Sequence, residues 1–417
     1  MSLLDKISEE VLLQSFHKVG PQPGCAVKYR REYERMQLKI LDHIPKLLND
    51  IQSGSFQFGE PELHLINGVR PILSVGPIDR AVERAIFKVV SQHLAAVLAQ
   101  PNTYARASLR GETSRSLPAL AKELQQRRKD YSHFFETDIK KFFPSINHSL
   151  LQQKLKKLLP DETLMPLLLA VAQRKPPEKV WRAQYVDLAF YFEEVERGIP
   201  QGSCLSPILS SVYLHDFDIA LEKRKISYLR YVDDLIAFAE SEQSASDIQD
   251  VISRILEDVG LTAHSTQNKE DTKAKIGSGK DTITFVGLEF LPENVKDEHI
   301  VRPRNKALQH FCDRVTEIGD TSNDLLTLLK RLDNFVKGWF AAYKWCSIPR
   351  SVIDELDSHQ RKIVGQWNKK HGVLDRNQSR YPRMEQAKLL GLSQLHDLKR
   401  QMDRRPSEMV QEPDEDF

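Results

Sequence analysis

The stretch Tyr228-Leu-Arg-Tyr-Val-Asp-Asp-Leu-Ile-Ala-Phe-Ala239 decides the fold of the region around it. Its two halves are rich in the β-branched and aromatic residues that favour strands, and they flank the adjacent aspartates Asp233 and Asp234. The pattern predicts a β-hairpin with both carboxylates at its tip. Two neighbouring carboxylates repel each other, and burying them is costly unless cations neutralise them. The alternatives are an ordinary acidic turn or a site for two Mg²⁺ ions, which prefer hard oxygen ligands.

Two stretches upstream favour the metal site. In Phe134-Phe-Glu-Thr-Asp-Ile-Lys-Lys-Phe-Phe143 a predicted strand ends at Asp138, and paired aromatic residues follow it. In Gly198-Ile-Pro-Gln-Gly202 the glycines and proline predict a loop, and the small and apolar residues after it predict a helix. Between these stretches, residues 180–195 are predicted to form a hairpin. Downstream, residues 282–290 predict a strand pair or a bent strand with Gly287 at the bend.

Composition bounds the class of protein. With 417 residues, of which 40% are hydrophobic, the chain is long enough for two or three packed subdomains. The four cysteines are widely spaced, so neither a disulfide framework nor a zinc site is expected. The first residues carry acids and no apolar run, and no run reaches membrane-spanning length. A soluble, cytoplasmic protein with no membrane partner is therefore expected.

Charge is unevenly distributed along the chain. Residues 301–405 hold 21 Lys and Arg against 12 Asp and Glu, and this segment is predicted to be mostly helical. A basic helical segment suits a polyanionic partner, although a solvated helix surface would have the same composition. The last ten residues hold five acids and no base, which is typical of a solvated tail.

The ordered set of Asp138, the Pro-Gln-Gly loop at 200–202, Tyr-Val-Asp-Asp at 231–234 and Phe-Val-Gly at 285–287 resembles the motif series of reverse transcriptases. Within that family it is most similar to bacterial enzymes of the group II intron type. The resemblance implies an α+β fold shaped like a right hand, with fingers and palm built from antiparallel sheet and helices and with a helical thumb. It implies an N-terminal helical extension (1–60), fingers (61–135), a palm (136–295, with an insertion at about 150–197), a basic thumb (296–405) and an acidic tail (406–417).

The same resemblance assigns roles to individual residues. It makes Asp138, Asp233 and Asp234 the ligands of two Mg²⁺ ions, and it makes the aromatic ring of Phe143 a gate against the ribose 2′-hydroxyl that favours dNTPs. Other positions that match the family's nucleotide-binding or acid-base residues are Arg70, which would clamp the triphosphate; Gln201 and Gly202, which would line the pocket; and Lys269, with Lys273 as its rival, which would protonate pyrophosphate.

The resemblance implies an RNA-directed DNA polymerase that binds an RNA template and the RNA/DNA duplex it makes. Residues 331–343 faintly resemble the thumb helix of group II intron proteins, with Lys337 and Lys344 on phosphates. The sequence shows no Cys/His-rich endonuclease and no retron-type Val-Thr-Gly, which favours the stand-alone reverse transcriptases linked to antiphage defence, working on a dedicated non-coding RNA. The alternatives are a retron-type or group II intron-derived reverse transcriptase or maturase, an untemplated or protein-primed DNA polymerase, an RNA polymerase, and a binding module with a vestigial site.

Overall fold

The computed structural model describes residues 2–19, 27–66, 70–98, 102–103, 116–159, 161–184, 189–194, 196–268, 271, 273–292, 301–372 and 391–403. The chain divides into two units, Met1–Gly279 and Lys280–Phe417. The predicted palm extended to residue 295, so its last residues belong to the second unit. The predicted acidic tail lies outside the described residues.

The first unit combines helices with two antiparallel sheets. Its strands are β1 Glu62–Ile66, β2 Arg70–Ser74, β3 His133–Asp138, β4 Ser227–Tyr231, β5 Asp234–Ala239 and β6 Lys275–Ser278. Its helices are α1 Glu9–Val19, α2 Val27–Gln37, α3 Ile40–Gln52, α4 Pro77–Leu98, α5 Leu117–Asp130, α6 Phe142–Ser145, α7 His148–Leu158, α8 Met165–Ala172, α9 Glu178–Gln184, α10 Ala189–Phe192, α11 Ser206–Lys223 and α12 Glu242–Glu257.

The four-stranded sheet has the order β4-β5-β3-β6, and every neighbouring pair is antiparallel. The predicted hairpin is confirmed, because β4 and β5 pair directly and Tyr231 lies opposite Asp234. Five of the six residues of β5 are buried, as expected for a central strand covered on both faces. Helix α12 packs against β3, β5 and β6 through a buried apolar stripe that includes Ile252 and Leu256. The sheet is therefore a rigid base for the residues at its ends.

The two-stranded sheet β1-β2 docks onto the loop that precedes α11. The backbone N–H of Leu73 in β2 donates to the carbonyl of Gln201 at 2.8 Å. The hairpin predicted over 180–195 is wrong, since α9 and α10 account for most of the described residues there. Trp181 and Phe192 pack on each other and on apolar residues of β1. These aromatic side chains are therefore buried by tertiary packing between helices and β1 and not by the pairing of two strands.

The second unit contains a small antiparallel sheet and long helices. Its elements are β7 Ile283–Phe285, β8 Leu288–Phe290, β9 Val301–Pro303, α13 Asn305–Thr321, α14 Leu325–Tyr343, α15 Arg350–His371 and α16 Leu395–Asp403. The predicted strand pair at 282–290 is confirmed. In its two-residue turn Val286 and Gly287 have positive φ angles, 51° and 74°, and hairpins with two-residue turns favour this backbone conformation. In the described part of the chain, no helix is both long and apolar enough to cross a membrane.

Candidate active site

Three carboxylates meet at one end of the central strands. Strand β3 ends at Asp138 and β5 begins at Asp234, and the register makes these two residues direct cross-strand partners. Asp233 lies in the turn before β5, where its carbonyl accepts from the backbone N–H of Ile139 at 3.2 Å. The position of all three therefore follows from strand pairing and does not depend on long flexible loops.

Burial and mutual repulsion disfavour the charged forms of these acids. Burial, followed by the charges of Asp233 and Asp138, raises the pKa of Asp234 from 3.8 to about 7. Burial also raises the pKa of Asp233, Asp138 adds to that shift, and the cations Arg70 and Lys273 oppose it. These directions mean that a cation among the carboxylates would stabilise their charged forms.

Two cationic or potentially cationic side chains face Asp138. The ammonium of Lys273 donates to Asp138 Oδ2 at 2.7 Å. His264 Nε2 lies 2.9 Å from Asp138 Oδ1, and His264 Nδ1 lies 2.5 Å from Asp271, which also pairs with Lys140 at 3.2 Å. These contacts place the imidazole ring between the two acids.

The donor set fits divalent cations that prefer oxygen. Asp138 Oδ1 is buried, and its 2.9 Å contact with His264 Nε2 lacks hydrogen-bond geometry, so this oxygen can still accept from a cation or a donor. Within the described residues, no three His, Cys, Asp or Glu side chains converge into a ready metal cluster. The backbone nevertheless brings the three acids to one edge of the sheet.

A buried ion pair supports the turn that carries the aspartates. Arg230 in β4 donates through Nε to Asp218 of α11 at 2.9 Å and also contacts the second oxygen of that carboxylate. Its Nη1 donates to the carbonyl of Val232 at 2.8 Å. Val232 has φ 59°, a left-handed conformation that is unfavourable for a β-branched residue and costs about 1–3 kcal/mol. The Arg230 contact stabilises this turn.

Two of the predicted nucleotide-binding residues, Arg70 and Gln201, are in direct contact. Arg70 Nε donates to Gln201 Oε1 at 2.5 Å, although 131 positions separate the two residues. The half-buried ring of Phe143 packs edge-on against Phe142, and its carbonyl accepts from Ile199 N at 3.0 Å. Burial raises the pKa of Tyr191, and the nearby cations Arg70 and Lys273 partly oppose that rise. Sequence reasoning did not identify Tyr191.

The structure places Lys273 beside Asp138. Lys269 lies outside the described residues. Burial lowers the pKa of Lys273, but the hydrogen bond with Asp138 and the charges of the aspartates outweigh it and raise that pKa overall. Sequence reasoning also missed His264, Asp271, Arg230 and Asp218. A charged residue in a strand as apolar as β4 is a signal for a buried ion pair, but it does not identify the partner.

Gly202 is the contact point between the loop and β2. It has φ +111°, and a Cβ atom there would lie 2.6 Å from the carbonyl oxygen of Leu73. We expect Gly202→Ala to displace β2 and with it Arg70, the predicted triphosphate ligand. This displacement should raise the KM for the predicted dNTP substrates and destabilise the fold by about 1–3 kcal/mol. Steady-state kinetics and denaturant unfolding measure the two effects.

Gly260→Ala is the matched control, because Gly260 also has a positive φ (+70°) but open space around its Cβ position. It should lose about 1 kcal/mol of stability with an unchanged KM. An unchanged KM in Gly202→Ala would show that β2 does not position the nucleotide.

Residues 60–290 match the family model described as "Reverse transcriptase (RNA-dependent DNA polymerase)". The chain belongs to the reverse transcriptase family. This confirms the family predicted from the order of the motifs. Together with the antiparallel sheets and helices, it confirms the predicted α+β polymerase fold of this reverse transcriptase.

Relatives of this reverse transcriptase include intron proteins. The "Putative COX1/OXI3 intron 1 protein" of Saccharomyces cerevisiae is 23% identical over 219 residues, which are 51% of this chain and 24% of that protein. The "Uncharacterized 91 kDa protein in cob intron" of Schizosaccharomyces pombe is 25% identical over 226 residues, 53% of this chain and 26% of that protein. The chain therefore spans about a quarter of the length of these relatives.

Solved structures with detectable similarity include a chain of the "Partial Cas6-RT-Cas1--Cas2 complex", 22% identical, with a TM-score of 0.37 and coverage of 62% of this reverse transcriptase and 42% of that chain. Another is apo telomerase from Candida tropicalis truncated from its C-terminal domain, 14% identical, with a TM-score of 0.42 and coverage of 60% and 55%. Both TM-scores are low, and neither likeness carries an inference about this chain.

Proposed function

We propose that this reverse transcriptase synthesises DNA on an RNA template from dNTPs, with Asp138, Asp233 and Asp234 as ligands of two Mg²⁺ ions. The observation that carries the proposal is the cross-strand pairing of Asp138 with Asp234, with Asp233 in the adjoining turn. When bound, Mg²⁺ would lower the pKa of the primer 3′-hydroxyl and neutralise charge on the triphosphate.

The side chains around the carboxylates have complementary tasks. Arg70 would bind the triphosphate through its guanidinium, which Gln201 orients through the 2.5 Å hydrogen bond. Lys273 has a raised pKa and stays protonated at neutral pH, so it can neutralise or protonate the departing pyrophosphate. Arg230 holds the turn and would keep Asp233 in place during the reaction.

The product duplex would bind along the helical second unit. Three exposed lysines recur every seven residues, Lys330 and Lys337 on α14 and Lys344 at its C-cap, which places them on nearly the same face. Lys337 also contacts Asp333 at 2.8 Å, so its charge is partly balanced. A row of cations of this kind suits the phosphates of a nucleic acid.

Primer extension tests the reaction. Purified protein, a DNA primer annealed to RNA, dNTPs and Mg²⁺ should give full-length complementary DNA, and omission of Mg²⁺ or of the template should remove it. No product on varied RNA templates would contradict the proposal. Product without template would instead favour the untemplated or protein-primed alternative, which the same site residues allow.

The sugar gate is tested by Phe143→Ala. Loss of the ring removes the clash with a 2′-hydroxyl, and we expect discrimination against rNTPs to fall by about 10- to 100-fold. The measurement is the ratio of kcat/KM for dATP and ATP on one template. Phe143→Tyr keeps the ring and should keep the ratio; equal discrimination in Phe143→Ala would assign the gate to another residue and weaken the case against an RNA polymerase.

The finer proposal is a dedicated non-coding RNA template and a role in antiphage defence. It is supported by the absence of the retron tripeptide Val-Thr-Gly from residues 296–405, the predicted thumb. Sequencing of nucleic acids that co-purify with wild type and with Asp233→Ala/Asp234→Ala tests the template: one abundant RNA in both, with complementary DNA only in wild type, is expected. Many unrelated RNAs would favour an intron-derived enzyme or a maturase. Protection against phage that the double variant retains would favour the binding module.

A further inference from the structure

A cavity of about 180 Å³ lies between α1 and α4. Its described lining contains three cations, Lys18, Arg84 and Lys88, and no acidic residue. The amide of Gln14 and the buried hydroxyl-bearing residue Ser91 also line it. None of these residues takes part in the site described above.

Helix geometry makes the cations converge. Arg84, Lys88 and Ser91 recur at helical spacing on one face of α4, and Gln14 and Lys18 do so on α1, which packs along α4. The half-buried Lys88 donates to Gln14 Oε1 at 2.9 Å, and Gln14 Nε2 donates to Glu10 at 2.9 Å. This chain of hydrogen bonds fixes the ammonium at the cavity wall.

The cavity is distinct from the nucleotide site. On α4, Glu83 is one position before Arg84 and therefore points about 100° away around the helix. Glu83 is buried, accepts from Ser203 at 2.6 Å and pairs with Arg174. One face of helix α4 therefore contacts the loop around Gly202, and another face lines the basic cavity.

We propose that this cavity binds a terminal phosphate group. The three cationic side chains line one partly buried space, so an anion that enters it is attracted by all three. A phosphomonoester carries a charge of about −1.5 to −2 at neutral pH and presents several acceptor oxygens, which suit one guanidinium and two ammonium groups. An internal phosphodiester carries a single charge and matches them less well. The volume is smaller than that of pockets for a whole drug-sized ligand, about 300 Å³ or more, so the phosphate would enter and its substituent would remain outside.

Two sources could supply such a group: the 5′ end of an RNA, or a small phosphorylated molecule. Binding of a 12-nucleotide RNA with a 5′-phosphate is compared with that of the same RNA with a 5′-hydroxyl, at constant ionic strength without Mg²⁺ or dNTPs. Contacts along the strand are common to both RNAs and cancel in the ratio. Thermal unfolding with and without inorganic phosphate, and with uridine monophosphate, tests the small-molecule source.

In wild type we expect the 5′-phosphate to tighten RNA binding by about tenfold, or the small phosphates to raise Tm, or both. Arg84→Gln/Lys88→Gln should lose these effects, and the exposed Lys18→Gln should weaken them while leaving the fold intact. The control Lys46→Gln/Lys122→Gln removes two exposed charges outside the cavity and should behave as wild type. Equal affinity for both RNAs together with no Tm shift in wild type would overturn the proposal, as would effects that persist in both cavity variants.

Discussion

Replacement of Asp233 by asparagine is expected to lower the rate of nucleotide incorporation by about 10³-fold or more, because it removes a negatively charged ligand from the pair of Mg²⁺ ions. The side chain keeps its size, and the cross-strand pairing of Asp138 with Asp234 is unaffected. The measurement is single-nucleotide incorporation at saturating primer-template and dNTP. Asp247→Asn, on the exposed face of α12, is the matched control and should keep wild-type activity.

The stability of the aspartate variants shows whether their loss of activity comes from unfolding. The folded pKa of Asp234 is raised, so its carboxyl contributes stability below the ordinary pKa of 3.8, and this contribution is lost as the pH rises through about 7. The metal-free Asp234→Asn variant should therefore be more stable than wild type at pH 8, and Asp233→Asn no less stable. A marked fall of Tm at pH 8 in these variants would show that the acids serve the fold instead of the chemistry.

Loss of Arg230 is expected to produce the largest loss of stability. In Arg230→Met the carboxylate of Asp218 would stay buried without its cation, at a cost of about 3–5 kcal/mol in the free energy of unfolding. Both side chains are at most 3% exposed, so water cannot take the place of the partner. Denaturant unfolding measures the effect, and Asp218→Asn should cost a comparable amount.

Two comparisons show whether the burial of the pair is responsible. Arg230→Met/Asp218→Leu removes both charges and should be more stable than either single variant. Arg314→Met breaks an exposed pair with Glu317 and should cost no more than about 1 kcal/mol. The double variant should fold but remain slow in catalysis, since Arg230 no longer holds the carbonyl of Val232. Wild-type activity in the double variant would show that the turn does not need this contact.

Prediction from sequence succeeded where the signal is local. Asp233 and Asp234 follow one strand-like run and precede another, so hairpin formation alone places them at a tip. Asp138 ends a strand for the same reason. The prediction failed over residues 180–195, whose aromatic side chains favour strands in isolation but pack within helices against β1. Local propensity there was overridden by tertiary burial.

The sequence by itself determined the family, the order of the motifs and the three candidate metal ligands, because short-range strand and turn preferences and the motif spacing are contained in the chain. Only the tertiary structure decided which side chains surround those ligands. Lys273 and Asp138 are 135 positions apart, and Arg70 and Gln201 are 131 apart. The pairing of Arg230 with Asp218 and the basic cavity between α1 and α4 arise in the same way. Contacts of this kind depend on how sheets and helices pack, and no local pattern of residues specifies them.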